Sequence, residues 1–515
     1  MDFVSILDLK NVPEREGGRP AFFLDLNLNQ IIERISTLWE RNVSNYYYYL
    51  PADKTCEDYR REVLRDVQSG EVYQVLNRFV ERMQEREEVI AKGATVHGNL
   101  PKAARFIAEA GIYCAAFLKL YEELQGQKLS SKGMLAFRAY LCQYLSSEAF
   151  QRLQGEVIRL QETLDSFRLR FQYENERVYV ELLAGAKNGK VQKAADANGT
   201  AEHITTETYD TFLRKSFPDR KRTMRSPFEI SMDVSELEQE ILRILQKNRP
   251  DFFQDIKKFR GEFENYPDET LMRFVEEIEF YLSFYCFEKH MQERGYEFCA
   301  PESGENVQMK AYGLYDLALA CTIRRVVPND MSYLEGERFF VLTGPNQGGK
   351  TTFARSLGQL VYFTKMGLDV PAKAATVPYF SDILTHFSVE ESVETGRGKL
   401  KEELVRLQPM MDVACKNAFV IINELFTTAA NYDACIMGKR VLQHFLASES
   451  QGIYVTHLKE LAEPAEGIVS LRAMLDGNGK QSFEILRSPA VESANAINQV
   501  NKYRLTYEQL KERLS

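Results

Sequence analysis

The clearest chemistry in this sequence is carried by Gly344-Pro345-Asn346-Gln347-Gly348-Gly349-Lys350-Thr351-Thr352. The run satisfies the pattern G-x-x-x-x-G-K-[ST]. Its glycines let backbone N–H groups close around phosphate oxygens at the positive end of a helix. Lys350 supplies a point charge for the β- and γ-phosphates, and the Thr351 hydroxyl can ligate Mg2+. Alone, the pattern also fits a plain glycine-rich turn. Its neighbours argue for more: the apolar run Phe339–Leu342 precedes it, and Phe353, Leu357, Leu360 and Val361 follow at helical spacing. Strand, phosphate loop and helix in that order make ATP with Mg2+ the expected ligand.

Two further polar pairs sit at the ends of apolar runs. Asn423-Glu424 follows Phe419–Ile422, and Thr456-His457 includes the residue after Ile453–Val455 and its neighbour. In open α/β sheets the chemistry lies at the carboxyl ends of the strands. A carboxylate at Glu424 can orient or deprotonate the water that attacks a γ-phosphate, and the His457 imidazole can sense that phosphate. Taken singly, Glu424 reads equally as a solvated strand-end carboxylate and His457 as an ordinary histidine. With the phosphate loop they make three polar strand ends that reinforce one another.

The elements that must position these residues are legible as periods. From about residue 310, short apolar runs of the kind found in buried parallel strands alternate with helical patterns. Residues 1 to about 185 read instead as mostly helical. Tyr59, Val63 and Val67 share a face, as do Phe106, Ala110, Tyr113, Phe117 and Leu120, and then Phe150, Leu153, Val157, Leu160 and Leu164. The period drops to two at Leu169, Phe171 and Tyr173 and again at Val178, Val180 and Leu182, which predicts a β-hairpin turning at Glu174-Asn175-Glu176. Residues 184–202 are small, polar and aperiodic, as in a mobile loop. Arg214, Lys215, Arg220, Lys221, Arg222 and Arg225 then form the densest basic stretch in an acidic chain. That stretch is either a solvated loop or a surface for DNA phosphates. Ser235 and Glu238 fit a capping box, and a long helix is expected from near Asp268 to Gly295.

Composition bounds the rest. A chain of 515 residues exceeds one simple core. The formal net charge of −9 argues against a surface basic everywhere, without excluding a local basic groove. Eight scattered cysteines without a C-x-x-C pair are expected as buried thiols in a reducing, cytoplasmic setting. No apolar stretch is long enough to span a membrane, and the first residues lack a secretory pattern.

GPNQGGKTT resembles the GPNMGGKST motif of the MutS family of ABC-type ATPases. The resemblance continues through Asp369-Val370-Pro371-Ala372, Thr395-Gly396-Arg397, Asn423-Glu424, Tyr432-Asp433 and Thr456-His457, over about residues 325–515. A weaker likeness to the family's helical core and lever covers DLNLNQII (25–32), Tyr59-Arg60 and Arg65-Asp66. It implies an α-helical core and lever region at 1–310, with a small hairpin and loop near 168–230, and an α/β ABC-type P-loop ATPase domain at 311–515. It also implies a homodimer that clamps DNA in mismatch repair or recombination. Each ATP would sit between the P-loop of one subunit and the Thr395-Gly396-Arg397 signature loop of the other.

Several positions depart from the family pattern. Asn423 stands where the family has aspartate; it can hold a metal-bound water but adds no negative charge. Gly398 and Lys399 replace the signature serine and its successor, and Phe426-Thr427-Thr428-Ala429-Ala430 replaces Gly-Arg-Gly-Thr-Ser. Slow turnover is therefore expected. The family's wedge-type mismatch reader is not expected in this chain. Its Phe-x-Glu letters recur at Phe79-Val80-Glu81 and Phe274-Val275-Glu276, but within helical patterns, where core phenylalanines are the expectation. The rival reading is a nucleotide-gated scaffold or clamp for a protein partner, with vestigial hydrolysis. A third, the ATPase subunit of a transporter, fits poorly with the fused helical arms.

Overall fold

The computed structural model describes residues 3–11, 18–94, 99–165, 168–174, 177–183, 203–208, 247, 249–304, 307–387, 399–412, 417–490 and 511. The loop expected at 184–202, the basic residues from Arg214 to Arg225, the Ser235 capping box and the Thr395-Gly396-Arg397-Gly398 segment lie outside them. By contact the chain groups into two compact units. One comprises Met1–Val4 and Asp66–Glu279, the other Ser5–Arg65 and Phe280–Ser515.

The first unit is mainly helical. Its long helices Gly70–Ala94 and Asn99–Gln125 are followed by Lys132–Leu145 and Glu148–Asp165. The stripes at spacing three and four face inward: Tyr113, Phe117, Leu120, Phe150, Leu153 and Leu160 are all buried. Phe79 and Phe274 are fully buried as well. Phe79 packs on the Phe117 ring at 5.1 Å, and Phe274 stacks on Phe137 at 3.4 Å. Both Phe-x-Glu phenylalanines are thus core residues. The expected hairpin forms from β1 (Arg168–Glu174) and β2 (Arg177–Leu183), with Glu174 opposite Arg177, and β3 (His203–Thr208) pairs with the other edge of β1. A helix over Glu269–Glu293, whose residues from Phe280 on are grouped with the second unit, begins where the Asp268 carboxylate accepts the Leu271 amide, and Gly295, at φ +90°, follows its end.

The second unit holds the remaining strands: β4 (Glu302–Gly304), β5 (Lys310–Leu314), β6 (Asn329–Ser332), β7 (Phe339–Thr343), β8 (Ala374–Pro378), β9 (Ile383–Phe387), β10 (Phe419–Asn423), β11 (Gln451–Val455), β12 (Ile468–Leu475) and β13 (Gln481–Arg487). Its main sheet runs β13-β12-β7-β11-β10-β9, parallel from β12 to β9 and antiparallel only at β13. Every residue of β7 and β10 is buried, as expected for parallel strands covered on both faces. A smaller sheet runs β4-β8-β5-β6.

The grouping departs from a linear split near residue 310, because residues 5–65 and 280–310 belong with the α/β part. The reason is visible at the helix Lys350–Lys365, which is buried along almost its whole length. Phe22 and Phe23 lie against its Tyr362 ring, at 6.1 and 5.4 Å, and the Gln359 amide donates to the Leu26 carbonyl. At Gly358 even a methyl group would stand 2.5 Å from Leu26 Cδ2 and 2.6 Å from Ile421 Cδ1. The helix is thus wedged between β10 and the first helices of the chain. Its far end is held by Arg61, which donates to the Thr364 carbonyl at 3.1 Å, and by Lys365 beside Glu57. No helix among the described residues is long and apolar enough to cross a membrane.

Candidate functional site

Strand β7 delivers the phosphate loop. Gly344, the first residue past it, has φ +131°, and a side chain there would meet Ala473 at 2.9 Å, so glycine is required. Gln347 (φ +61°) and Gly349 (φ +88°) also adopt left-handed backbone, and Gly349 caps the helix that starts at Lys350. The loop therefore curls over the positive end of a buried helix. Lys350 is itself buried, and its Nζ donates to the carbonyls of Gly344 and Pro345, each at 3.0 Å. Burial holds its pKa below the ordinary lysine value, and the nearby Glu424 carboxylate works in the opposite direction. The ammonium thus closes the loop on itself; a charged oxygen would accept from it more strongly than these carbonyls do.

The Thr351 hydroxyl donates to Asn423 Oδ1 at 3.1 Å. These are the two positions expected to hold a metal ion. A hydroxyl and a neutral amide oxygen form an oxygen-donor pair that suits Mg2+ completed by water and phosphate, at modest affinity. One residue on, Glu424 leaves β10 with φ +56°, and Phe426 follows at φ +61°. A non-glycine residue in this region costs on the order of 1–2 kcal/mol. The turn buries Leu425 and Phe426 and turns Glu424 outward, where its Oε1 lies 2.7 Å from His457 Nε2. His457 comes from the end of β11, which pairs with both β10 and β7. The parallel register thus brings Lys350, Thr351, Asn423, Glu424 and His457 together at the edge formed by the carboxyl ends of the inner strands β7, β11 and β10.

A cavity of about 520 Å³ opens at that edge, lined by Asn346, Gln347, Gly349, Lys350, Thr351, Thr352, Glu424 and His457. Beside Phe353 of the helix Lys350–Lys365, its other wall includes Ile323, Val327, Asn329 and Phe483, which the sequence alone does not mark. Asn329 ties this wall together, donating to the Phe483 carbonyl at 3.1 Å and accepting the Ile485 amide at 2.7 Å. Polar groups at one end and apolar groups at the other suit a nucleotide, phosphates at the loop and base on the apolar wall. No motif marks the latter residues, since they come together only when β6 and β13 fold beside the loop. The signature residues Thr395, Gly396 and Arg397 and the basic residues Arg214, Lys215, Arg220, Lys221, Arg222 and Arg225 are not among the described residues.

Comparison with known proteins places names beside this geometry. Residues 340–494 match the family described as MutS domain V. The chain is similar to the DNA mismatch repair protein MutS of Syntrophomonas wolfei, at 31% identity over 160 residues, covering 30% of this chain and 19% of the relative. It is similar to the DNA mismatch repair protein MutS of Fervidobacterium nodosum at 23% identity over 270 residues, 52% of this chain and 30% of the relative. With the DNA mismatch repair protein MSH3 of Arabidopsis thaliana it shares 31% identity over 143 residues, 27% of this chain and 13% of the relative. The matched segment is less than a third of the length of each of these relatives.

Proposed function

This chain is a MutS-family protein through its domain V, residues 340–494, and from that premise we propose that it binds and slowly hydrolyses ATP as half of a DNA-associated, ABC-type dimeric clamp. The observation that carries the reading is the Glu424–His457 pair at 2.7 Å, in the same cavity as Lys350 and Thr351, whose hydroxyl donates to Asn423.

In this reading the amides of Gly344–Thr352 and the Lys350 ammonium hold the β- and γ-phosphates. Thr351 and Asn423 hold Mg2+, which when bound offsets phosphate charge. Glu424 accepts the proton of the attacking water while His457 holds the carboxylate in place. The new oxygen–phosphorus bond forms as the bond to the bridging oxygen breaks, giving ADP and phosphate. Asn423 lacks the charge an aspartate would add, which supports slow turnover. Leu404, Val405, Ile436 and Tyr432 are exposed apolar side chains on the two helices that flank the Glu424 turn, and Tyr432 is 77% exposed. Such a surface fits cover by a second copy whose Thr395-Gly396-Arg397 loop reaches the nucleotide. The helical part of 1–310 would serve as core and lever, and the Arg214–Arg225 stretch would meet DNA phosphates. A cytoplasmic location goes with this reading.

The second reading, a nucleotide-gated scaffold for a protein partner, is favoured by the neutral Asn423 at the metal position. ATP hydrolysis and sedimentation separate the two. The parent should turn over, Lys350→Ala should lose nucleotide binding, and Glu424→Gln should bind ATP, trap it and dimerise. Binding to duplex, mismatched, forked and four-way DNA, with and without ATP, completes the test. A folded parent that binds ATP but no DNA in any nucleotide state sinks the DNA clamp in favour of the scaffold.

A further inference from the structure

The turn after β10 is held in a conformation its residues do not favour. Glu424 and Phe426, both non-glycine, have φ of +56° and +61°. Two of its hydrogen bonds are internal to the sheet and the turn: the Glu424 amide donates to the Val455 carbonyl at 2.9 Å, and the Ala429 amide to the Phe426 carbonyl at 3.1 Å. A third comes from elsewhere. The Phe426 amide donates to Glu403 Oε2 at 3.1 Å, and Glu403 sits on the helix Lys399–Asp412. Glu403 is 3% exposed, so water does not compete for this bond. Its backbone carbonyl lies 3.3 Å from Nε2 of His386, on β9 beside β10, so the residue is fixed at both ends.

We propose that Glu403 is a positioning residue for ATP hydrolysis: by anchoring the Phe426 amide it sets the turn that aims the Glu424 carboxylate at the attacking water. The inference rests on the hydrolytic reading of Glu424. Glu403 takes no proton and touches no nucleotide. Its effect is confined to the orientation of Glu424, and so to the step in which water attacks, the bond to the bridging oxygen breaks and Glu424 accepts the proton. Rotating the peptide before Phe426 would swing Glu424 away from His457 while leaving Lys350, Thr351 and the phosphate loop where they are. Binding and turnover should therefore separate at this residue.

The test uses the full chain and MgATP. Glu403→Ala should lower kcat by about tenfold or more, while ATP affinity changes by less than about twofold. Glu403→Gln should restore most of the rate, because its amide oxygen can still accept from Phe426. Adding Glu403→Ala to Glu424→Gln should slow hydrolysis no further than Glu424→Gln alone, since both act on one step. A parent rate in Glu403→Ala, a loss of ATP affinity equal to the loss of rate, or a Glu403→Gln variant as slow as the alanine would each overturn the inference. If the parent does not hydrolyse ATP, or Glu424→Gln hydrolyses it at the parent rate, the hydrolytic reading falls and this inference with it. A slow Glu424→Gln beside an unimpaired Glu403→Ala refutes Glu403 alone.

Discussion

Glu57→Gln should remove a pH dependence from the stability of the unit that carries the phosphate loop. Glu57 is 1% exposed, its Oε1 lies 3.9 Å from Lys365 Nζ, and that ammonium donates instead to the Phe380 carbonyl at 2.9 Å. Glu57 Oε2 has no hydrogen-bond partner among the described residues. Burial pushes the carboxyl from 4.5 up to about 7, against the pull of Lys365, Lys54 and Arg61, while Asp58 adds to the rise. A folded pKa above the unfolded one means that the folded chain holds the extra proton. The contribution of Glu57 is then complete below about pH 4.5 and is lost as pH rises through about 7. A rise of that size amounts to about 3 kcal/mol. Trp39 is the one tryptophan of the chain and lies in the same unit, so its fluorescence can follow urea unfolding there. Between about pH 5 and pH 8 the parent should lose most of that 3 kcal/mol relative to Glu57→Gln. Gln beside Lys365 shifts the two curves by a constant, which does not affect their slopes. Parallel curves, within about 0.5 kcal/mol, would refute the reasoning: Glu57 would then ionise normally, and the helix Lys54–Gln68 would not exclude water where it meets the P-loop helix.

Gly358→Ala places a methyl group 2.5 Å from Leu26 and 2.6 Å from Ile421, and should cost about 1–3 kcal/mol by the same fluorescence measurement. An unchanged midpoint would mean that the P-loop helix has room to move. Asn423→Asp adds a charge opposite the Thr351 hydroxyl and should lower the Mg2+ concentration needed for ATP binding. An identical Mg2+ titration would remove this position from the metal site. Reversing Arg220, Lys221 and Arg222 to Glu should flatten the dependence of log K on log salt for DNA by about three, with ATP affinity intact. If affinity and slope both persist, DNA is contacted elsewhere.

The phosphate loop was legible because its chemistry is local: glycines, a lysine and a hydroxyl must be contiguous to wrap a phosphate. The apolar runs at Phe339, Phe419 and Ile453 were legible because parallel strands buried on both faces leave no polar alternation. Their order in the sheet was not, yet that order places Glu424 beside His457. No stripe in the sequence announced that Phe22, Phe23 and Leu26 would be buried. Their partners Tyr362 and Gly358 lie more than three hundred residues away, and periodicity carries no address. Glu403 was hidden for a similar reason. A glutamate in the helix after the signature segment looks like solvated charge until the Phe426 amide is found beside it. Phe483 and Asn329 likewise join the cavity wall only through the pairing of β13.

The unit that carries the phosphate loop is assembled from two stretches of chain, Ser5–Arg65 and Phe280–Ser515, with all of the other unit except Met1–Val4 inserted between them. On the ribosome, Phe22, Phe23 and Leu26 therefore emerge long before Tyr362 and Gly358, the groups that cover them. Until the P-loop helix is made, this apolar surface has no native place to go. During that interval the inserted helical unit, already complete in sequence, is free to fold first. Synthesis that stalls between residues 280 and 350 should consequently leave a folded helical unit carrying a sticky N-terminal tail, which is a substrate for chaperones. The cavity at Lys350, Glu424 and His457 is then late to come into being.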